Sequence, residues 1–200
     1  MSKLTRLLAL PALALTLSLA IPGQGFANAL QTSVAADTLP EKKQTKPGLY
    51  ITASEAAAVL SERGDVLLID VRTPEETLFV GYPTVTDANI PFKLVDPGHD
   101  FNAKKNSYQT VANPGFVAAA KAFLDGKDPG AVIVMCRSGS RSAGAVDALA
   151  EAGVNVPLYS MVDGFEGDKN DAGRRAVNGW KNAGADWTDK IRADLLVTAE

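Results

Sequence analysis

The chain has 200 residues, 46% of them hydrophobic, with 20 Lys and Arg against 23 Asp and Glu and a formal net charge of −3. That length supports one domain with a real core, and the acidic balance argues against nucleic acid as a partner. One Cys and one His do not make a zinc centre, and a lone cysteine forms no internal disulfide.

Residues 1–29 read as a secretory signal peptide. Lys3 and Arg6 are basic, Leu7 to Ile21 is nearly all apolar, and Ala27-Asn28-Ala29 is a small-residue cleavage site. The apolar run is short for a membrane span. The expected location is periplasmic or secreted, with no membrane association after cleavage behind Ala29. Residues 30–48 are polar and contain Pro and Lys, and are expected to be a flexible leader. Thr52-Ala53-Ser54-Glu55 is a capping box that opens a helix to Arg63, stopped by Gly64. Val66-Leu67-Leu68-Ile69 has no polar alternation and suits a strand buried on both faces. It runs into Asp70-Val71-Arg72-Thr73-Pro74, where Pro74 suits the first turn of a short helix.

Val85 to Ile90 reads as the next strand. Residues 91–112 contain Lys93, Pro97, Gly98, His99, Lys104, Lys105 and Tyr108 with no sustained period. They are expected to be a long loop, lying beside the site and affecting the choice of donor or acceptor, or else a solvated insertion. A helix follows Asn113-Pro114, with Phe116, Ala119, Ala120, Phe123 and Leu124 on one face. Ala131 to Met135 is an apolar strand, and Ser142 to Ala152 a small-residue helix stopped at Gly153. Val156 to Met161 reads as a last strand, and Arg174 to Asn182 as a last helix with Val177 and Trp180 facing in. The tail, 188–200, is expected to add one or two helical turns. Strands alternating with helices indicate an α/β domain with a parallel sheet over residues 49–187. Its site is expected at the C-terminal ends of the strands, where Asp70 and Cys136 both fall.

Cys136 opens the run Cys136-Arg137-Ser138-Gly139-Ser140-Arg141-Ser142 between that strand and helix. A sulfur at a helix N-terminus, flanked by two arginines, is favoured as thiolate. An odd cysteine in an exported protein is an intermolecular pair or a reactive thiol, and these neighbours favour the second. Ser138, Ser140 and Ser142 suit loop geometry and helix capping. Gly139 suits a backbone angle that other residues resist. No histidine lies near Cys136 in sequence, and His99 reads as an exposed loop residue rather than half of a Cys–His pair. No dinucleotide fingerprint follows a strand, and no cofactor or metal is expected. Trp180 and Trp187 read as packing residues.

From Leu49 to Trp187 the chain resembles the rhodanese family of sulfurtransferases. The resemblance rests on Ile51-Thr52-Ala53-Ser54-Glu55, Leu68-Ile69-Asp70-Val71-Arg72, Ala88-Asn89-Ile90-Pro91, the Cys136–Ser142 run and Val162-Asp163-Gly164-Phe165, in that order. It implies a single domain with a five-stranded parallel sheet flanked by helices, and a Cys136 that carries a persulfide. The loop from Arg137 to Ser142 would cradle the sulfur with its backbone amides, while Asp70 and Arg72 match the family's strand-end pair and act as supports. Four residues separate Cys136 from Arg141. The related cysteine-based phosphatases use one residue more, which makes a wider cradle for a phosphoryl group. The stretch from Gly81 to Ala88 departs from the family's usual Gly-His-Ile-Pro-Gly-Ala.

The expected activity is transfer of a sulfane sulfur from an anionic donor such as thiosulfate to cyanide or a thiol, small or protein-borne. Arg137 and Arg141 would hold the donor or the leaving sulfite by charge-assisted bonds, or else pair with carboxylates. A sulfur carrier that turns over poorly alone is the second reading, and a cysteine-based phosphatase or arsenate reductase the third.

Overall fold

The structure, a computed structural model, describes residues 30 and 32–199. The signal-peptide segment, 1–29, lies outside the described residues. In chain order, β1 (Tyr50–Ile51) leads to α1 (Ala53–Glu62), β2 (Val66–Asp70), α2 (Pro74–Val80), β3 (Tyr82–Pro83) and β4 (Ala88–Asn89). Then come β5 (Lys93–Val95), β6 (Phe101–Asn102), β7 (Ser107–Tyr108), β8 (Thr110–Ala112) and α3 (Phe116–Leu124). Finally there are β9 (Ala131–Met135), α4 (Ser140–Glu151), β10 (Leu158–Met161) and β11 (Trp187–Thr188).

Five strands form one parallel sheet in the order β1-β10-β9-β2-β4, the α/β class expected. Every residue of β9 is buried. Val132 and Val134 pack on one face with Phe116 of α3 and Val146 and Leu149 of α4. Ala131, Ile133 and Met135 pack on the other with Ala53 and Ala56 of α1, Phe165 and Trp180. This period of two, apolar on both sides, is why the strand reads as an unbroken apolar run. From β2 the chain first adds β4 on one side, then crosses to β9 on the other. The strand order therefore reverses between β2 and β9, which opens a crevice at their C-terminal ends. Asp70 closes β2 at that point, and Cys136 follows β9 directly.

The capping box of α1 forms as expected, Thr52 Oγ1 accepting from the Glu55 amide and Glu55 from the Thr52 amide. The expected strand Val85–Ile90 shrinks to β4, because Thr84 and Val85 lie in a turn closed by Thr86 N donating to Pro83 O at 3.0 Å. Instead of a helical turn, the tail runs extended beside β4, with Val197 N donating to Asn89 O at 2.9 Å and Leu195 buried.

Three further expectations are corrected. Residues 91–112 are not a loop but a hairpin excursion, β5 pairing antiparallel with β8 and β6 with β7. Its outer strands are exposed or half-exposed, so no buried face imprints a period of two. Its base is tied to the site helix: Phe92 packs edge-on to Phe116 and sits against Gly144 of α4. Residues 174–182 form turns rather than a helix. Gly179 has φ +94°, and a Cβ there would lie 2.4 Å from Gly167 N. Trp180 N and Lys181 N donate back to Gly164 O and Phe165 O, so the backbone bonds go to another segment instead of closing a helix. Trp180 is buried as expected, but Val177 is 59% exposed. Finally, the segment expected to be a flexible leader is exposed along most of its length but anchored to the domain at several points. Leu30 joins the core below Tyr159, and Lys43 is 8% exposed. Lys46 N also donates to Asp147 of α4 at 2.7 Å.

Candidate active site

β9 ends inside the sheet, so the residue after it starts the turn into α4 with its side chain still enclosed. Cys136 is 2% exposed. The turn works because Gly139 takes φ +101°, a conformation that L side chains resist. A Cβ at Gly139 would fall 2.1 Å from Val162 O. That approach aims the Gly139 amide at the sulfur, with N to Sγ at 3.2 Å. Ser142 Oγ lies 3.6 Å from the same Sγ. Ser142 is fully buried, within reach of Gly139 O (2.7 Å) and Met161 O (3.1 Å), and accepts from Ser160 Oγ at 3.3 Å. Its hydroxyl can accept from the thiol or turn to donate to the thiolate, so both states of Cys136 find a partner.

The far side of the turn is held by the segment after β10. Phe165 N donates to Cys136 O at 2.8 Å, while Glu166 N and Gly167 N donate to Arg137 O. Gly164 permits this approach, since a Cβ there would sit 2.4 Å from Cys136 O. Asp163 anchors the segment, accepting from Ala53 N at 2.8 Å and Gly179 N at 2.9 Å. Burial pushes its carboxyl above the usual range, despite those donors. Lys43 closes the back of the turn, its stem against Gly139 and its Nζ 3.0 Å from Asp168.

Asp70 and Arg72 meet as the resemblance implied, and both are wholly buried. Arg72 Nε and Nη2 grip the carboxylate at 3.0 and 2.6 Å. Nη2 also donates to Gly81 O, and the guanidinium lies 4.2 Å from the centre of the Phe165 ring. This pair braces the end of β2 against the segment that holds the Cys136 turn.

The two loop arginines separate in role. Arg141 is committed to Glu76 by a two-pronged ion pair with both contacts at 2.6 Å, the carboxylate pairing weighed above. Burial opposes charge on both groups, yet mutual attraction outweighs it and raises Arg141 while holding Glu76 below the usual carboxylate range. Arg137 is exposed and makes no ion pair with any described residue. Ser138 is half-buried and Ser140 exposed at the first turn of α4. Glu76 is a site residue that the sequence reading missed, although Thr73-Pro74-Glu75-Glu76 carries its signal. Thr73 and Glu76 form a capping box with Pro74 at the first helical position. His99 stands apart on the hairpin, edge-on to Tyr108.

The Glu76–Arg141 pair gives a signed expectation. Glu76 has a lowered folded-state value, so its contribution to stability is full above the ordinary carboxylate range and is lost as pH falls through the folded value. The gap in urea midpoint between the natural protein and Glu76→Gln should be open near pH 7 and should narrow as pH falls below the ordinary carboxylate range. A gap that stays constant with pH would show that the pair does not couple to folding.

No family model matches the chain. The uncharacterized protein RP600 of Rickettsia prowazekii (strain Madrid E) is 28% identical over 137 residues, covering 68% of this chain and 94% of its own. The crystal structure of Rv0390 from M. tuberculosis superposes with a TM-score of 0.52 at 31% identity, over 70% of this chain and 96% of its own. The chain resembles Rv0390 over nearly all of that protein's length. A thiosulfate sulfurtransferase from Pseudomonas aeruginosa is 18% identical with a TM-score of 0.48, over 76% of this chain and 22% of its own.

Proposed function

We propose that this chain is a rhodanese-type sulfurtransferase working through a persulfide on Cys136. The observation that carries the reading is the sulfur's setting: a strand-end Cys136 with the Gly139 amide at 3.2 Å and Ser142 Oγ at 3.6 Å. The parallel sheet and its switch point, the buried Asp70–Arg72 brace and the short spacing from Cys136 to Arg141 support it. In the first half-reaction the Cys136 thiolate attacks the sulfane sulfur of thiosulfate. The donor's S–S bond breaks, and sulfite leaves with the electron pair. The terminal sulfur of the persulfide then carries the negative charge, which the Gly139 amide and the start of α4 face. In the second half-reaction an acceptor attacks that sulfur, and the electron pair of the broken bond returns to Cys136 as thiolate. Arg137, free of a carboxylate among the described residues, is the side chain available to hold an anionic donor.

Intact mass after incubation with thiosulfate tests this reading. The expected result is a gain of one sulfur atom, removed by cyanide with release of thiocyanate. Absence of the added sulfur would overturn the persulfide. Loading and discharge without repeated turnover would assign the chain to the sulfur-carrier reading. The signal pattern in 1–29 supports a periplasmic or secreted place for this chemistry. Among the described residues no helix is long and apolar enough to cross a membrane.

A further inference from the structure

Beside the Cys136 turn lies a second, basic cavity that the chemistry above does not use. Its volume is about 170 Å³, and Val80, Glu166, Arg175, Lys181 and Asn182 line it. It belongs to the same wall as the sulfur cradle, because Glu166 N and Gly167 N both donate to Arg137 O. The wall is built, not draped. Asn182 Nδ2 donates to Asn178 O at 2.7 Å and reaches Glu166 O and Arg175 O. Arg175 Nη1 donates to Gly167 O. Lys181 Nζ donates to Val80 O at 3.2 Å and stands 3.7 Å from the centre of the Trp187 ring.

The charges on this wall are unbalanced. Lys43, Arg72 and Arg141 around the cradle all have carboxylate partners. Arg137, Arg175 and Lys181 have none within 4.0 Å among the described residues. Glu166 opposes them from the cavity lining without an ion pair to any, and Asp168 is engaged by Lys43. Burial and the neighbouring Arg137 guanidinium work against the charge on Arg175, and Glu166, Asp168 and Cys136 offset them only in part. A small anion seated there would relieve that repulsion in a partly desolvated setting, where charge-assisted bonds are strongest.

Resting on the sulfurtransferase reading, we propose that this cavity is an acceptor subsite. Arg175 and Lys181 bind the anionic group of a small thiol whose sulfur reaches the Cys136 persulfide. Thiosulfate carries its charge one bond from the sulfur it gives up, so its oxygens belong at the Cys136 turn. The cavity is lined by the following segment instead, with Arg175 close enough to feel the charges of both Arg137 and Cys136, so an anion held there is offset from the reacting sulfur. That describes a thiol with a carboxylate or sulfonate on a short stem. Its thiolate bonds to the outer persulfide sulfur, the Sγ–S bond breaks, and the electron pair returns to Cys136.

The test compares 3-mercaptopropionate with uncharged 2-mercaptoethanol as acceptors for thiosulfate-loaded protein, each loading verified by intact mass. The natural protein should favour the anionic thiol. Arg175→Gln and Lys181→Gln should each lower that preference about tenfold, and Arg175→Lys should restore part of it. Equal rates for the two thiols, or a preference that both variants leave unchanged, would overturn the subsite. A second measurement needs no sulfur chemistry. Propane-1-sulfonate, which has no thiol, should perturb the fluorescence of Trp187 under Lys181 in a saturable way, and Lys181→Gln should abolish the response. If loading fails, the sulfurtransferase reading falls and this titration alone decides whether the anion site exists; a flat titration overturns it.

Discussion

Replacing Cys136 by Ser should abolish sulfur transfer while leaving the fold in place. The hydroxyl is close to the thiol in size, and both polar neighbours suit it: the Gly139 amide can donate to it, and Ser142 Oγ lies 3.6 Å from the present sulfur. Unfolding midpoints should therefore move little, within about 1 kcal/mol. The chemistry should not survive, because an alcohol is barely ionised near neutral pH and yields no persulfide. The rate of thiocyanate release should fall by about a thousandfold or more, as expected when the nucleophile of a covalent mechanism is removed. Intact mass should show no gain of sulfur from thiosulfate. Retained transfer in a folded Ser variant would sink the mechanism.

The largest effect on stability is expected at Asp70. Asp70→Ala leaves the Arg72 guanidinium charged, wholly buried and short of its carboxylate, with one nitrogen, Nη1, already lacking any partner. Breaking one side of such a pair costs about 3–5 kcal/mol, because the remaining charge has lost its compensation. Gly81 O and the Phe165 ring still face the guanidinium, but neither carries a full negative charge. Urea unfolding should show this loss, and the double variant Asp70→Leu, Arg72→Met should recover much of it. A single variant that loses less than about 1 kcal/mol would mean that water or a rearrangement relieves Arg72. Because Phe165 N donates to Cys136 O, the same variant should also loosen the sulfur cradle, seen as slower persulfide loading at temperatures where the protein remains folded.

Much of the site was legible because its signals are local. A capping box spans only four residues, so Thr52 to Glu55 marks the start of α1. A strand buried on both faces is apolar without alternation, so Val66–Ile69 and Ala131–Met135 stood out. The Cys136 turn lies between such a strand and a helix, and Gly139 has the positive φ that its sequence position suggested. Asp70 and Arg72 are two residues apart at a strand end, close enough for one to grip the other.

What stayed hidden depends on partners far along the chain. By sequence alone Arg141 fits a substrate and a carboxylate equally well; Glu76, 65 residues away, takes it as an ion-pair partner. The 91–112 hairpin leaves no period, because a ribbon with no fully buried strand puts little constraint on which residues are apolar. Lys43 read as part of a solvated leader, and only the fold shows it buried against Gly139 with Asp168 as its partner. The turns at 174–182 looked helical by their apolar spacing, but Gly179 is needed for close approach to Gly167. By itself, the sequence determined the parallel α/β class, the strand-end position of Cys136 and the local chemistry of its turn. These follow from burial period, capping and glycine, which act over a few residues. Only the tertiary structure decided which charges are neutralised and which stay available, because an ion pair is set by distance in space, and that distance is closed by packing rather than by sequence spacing.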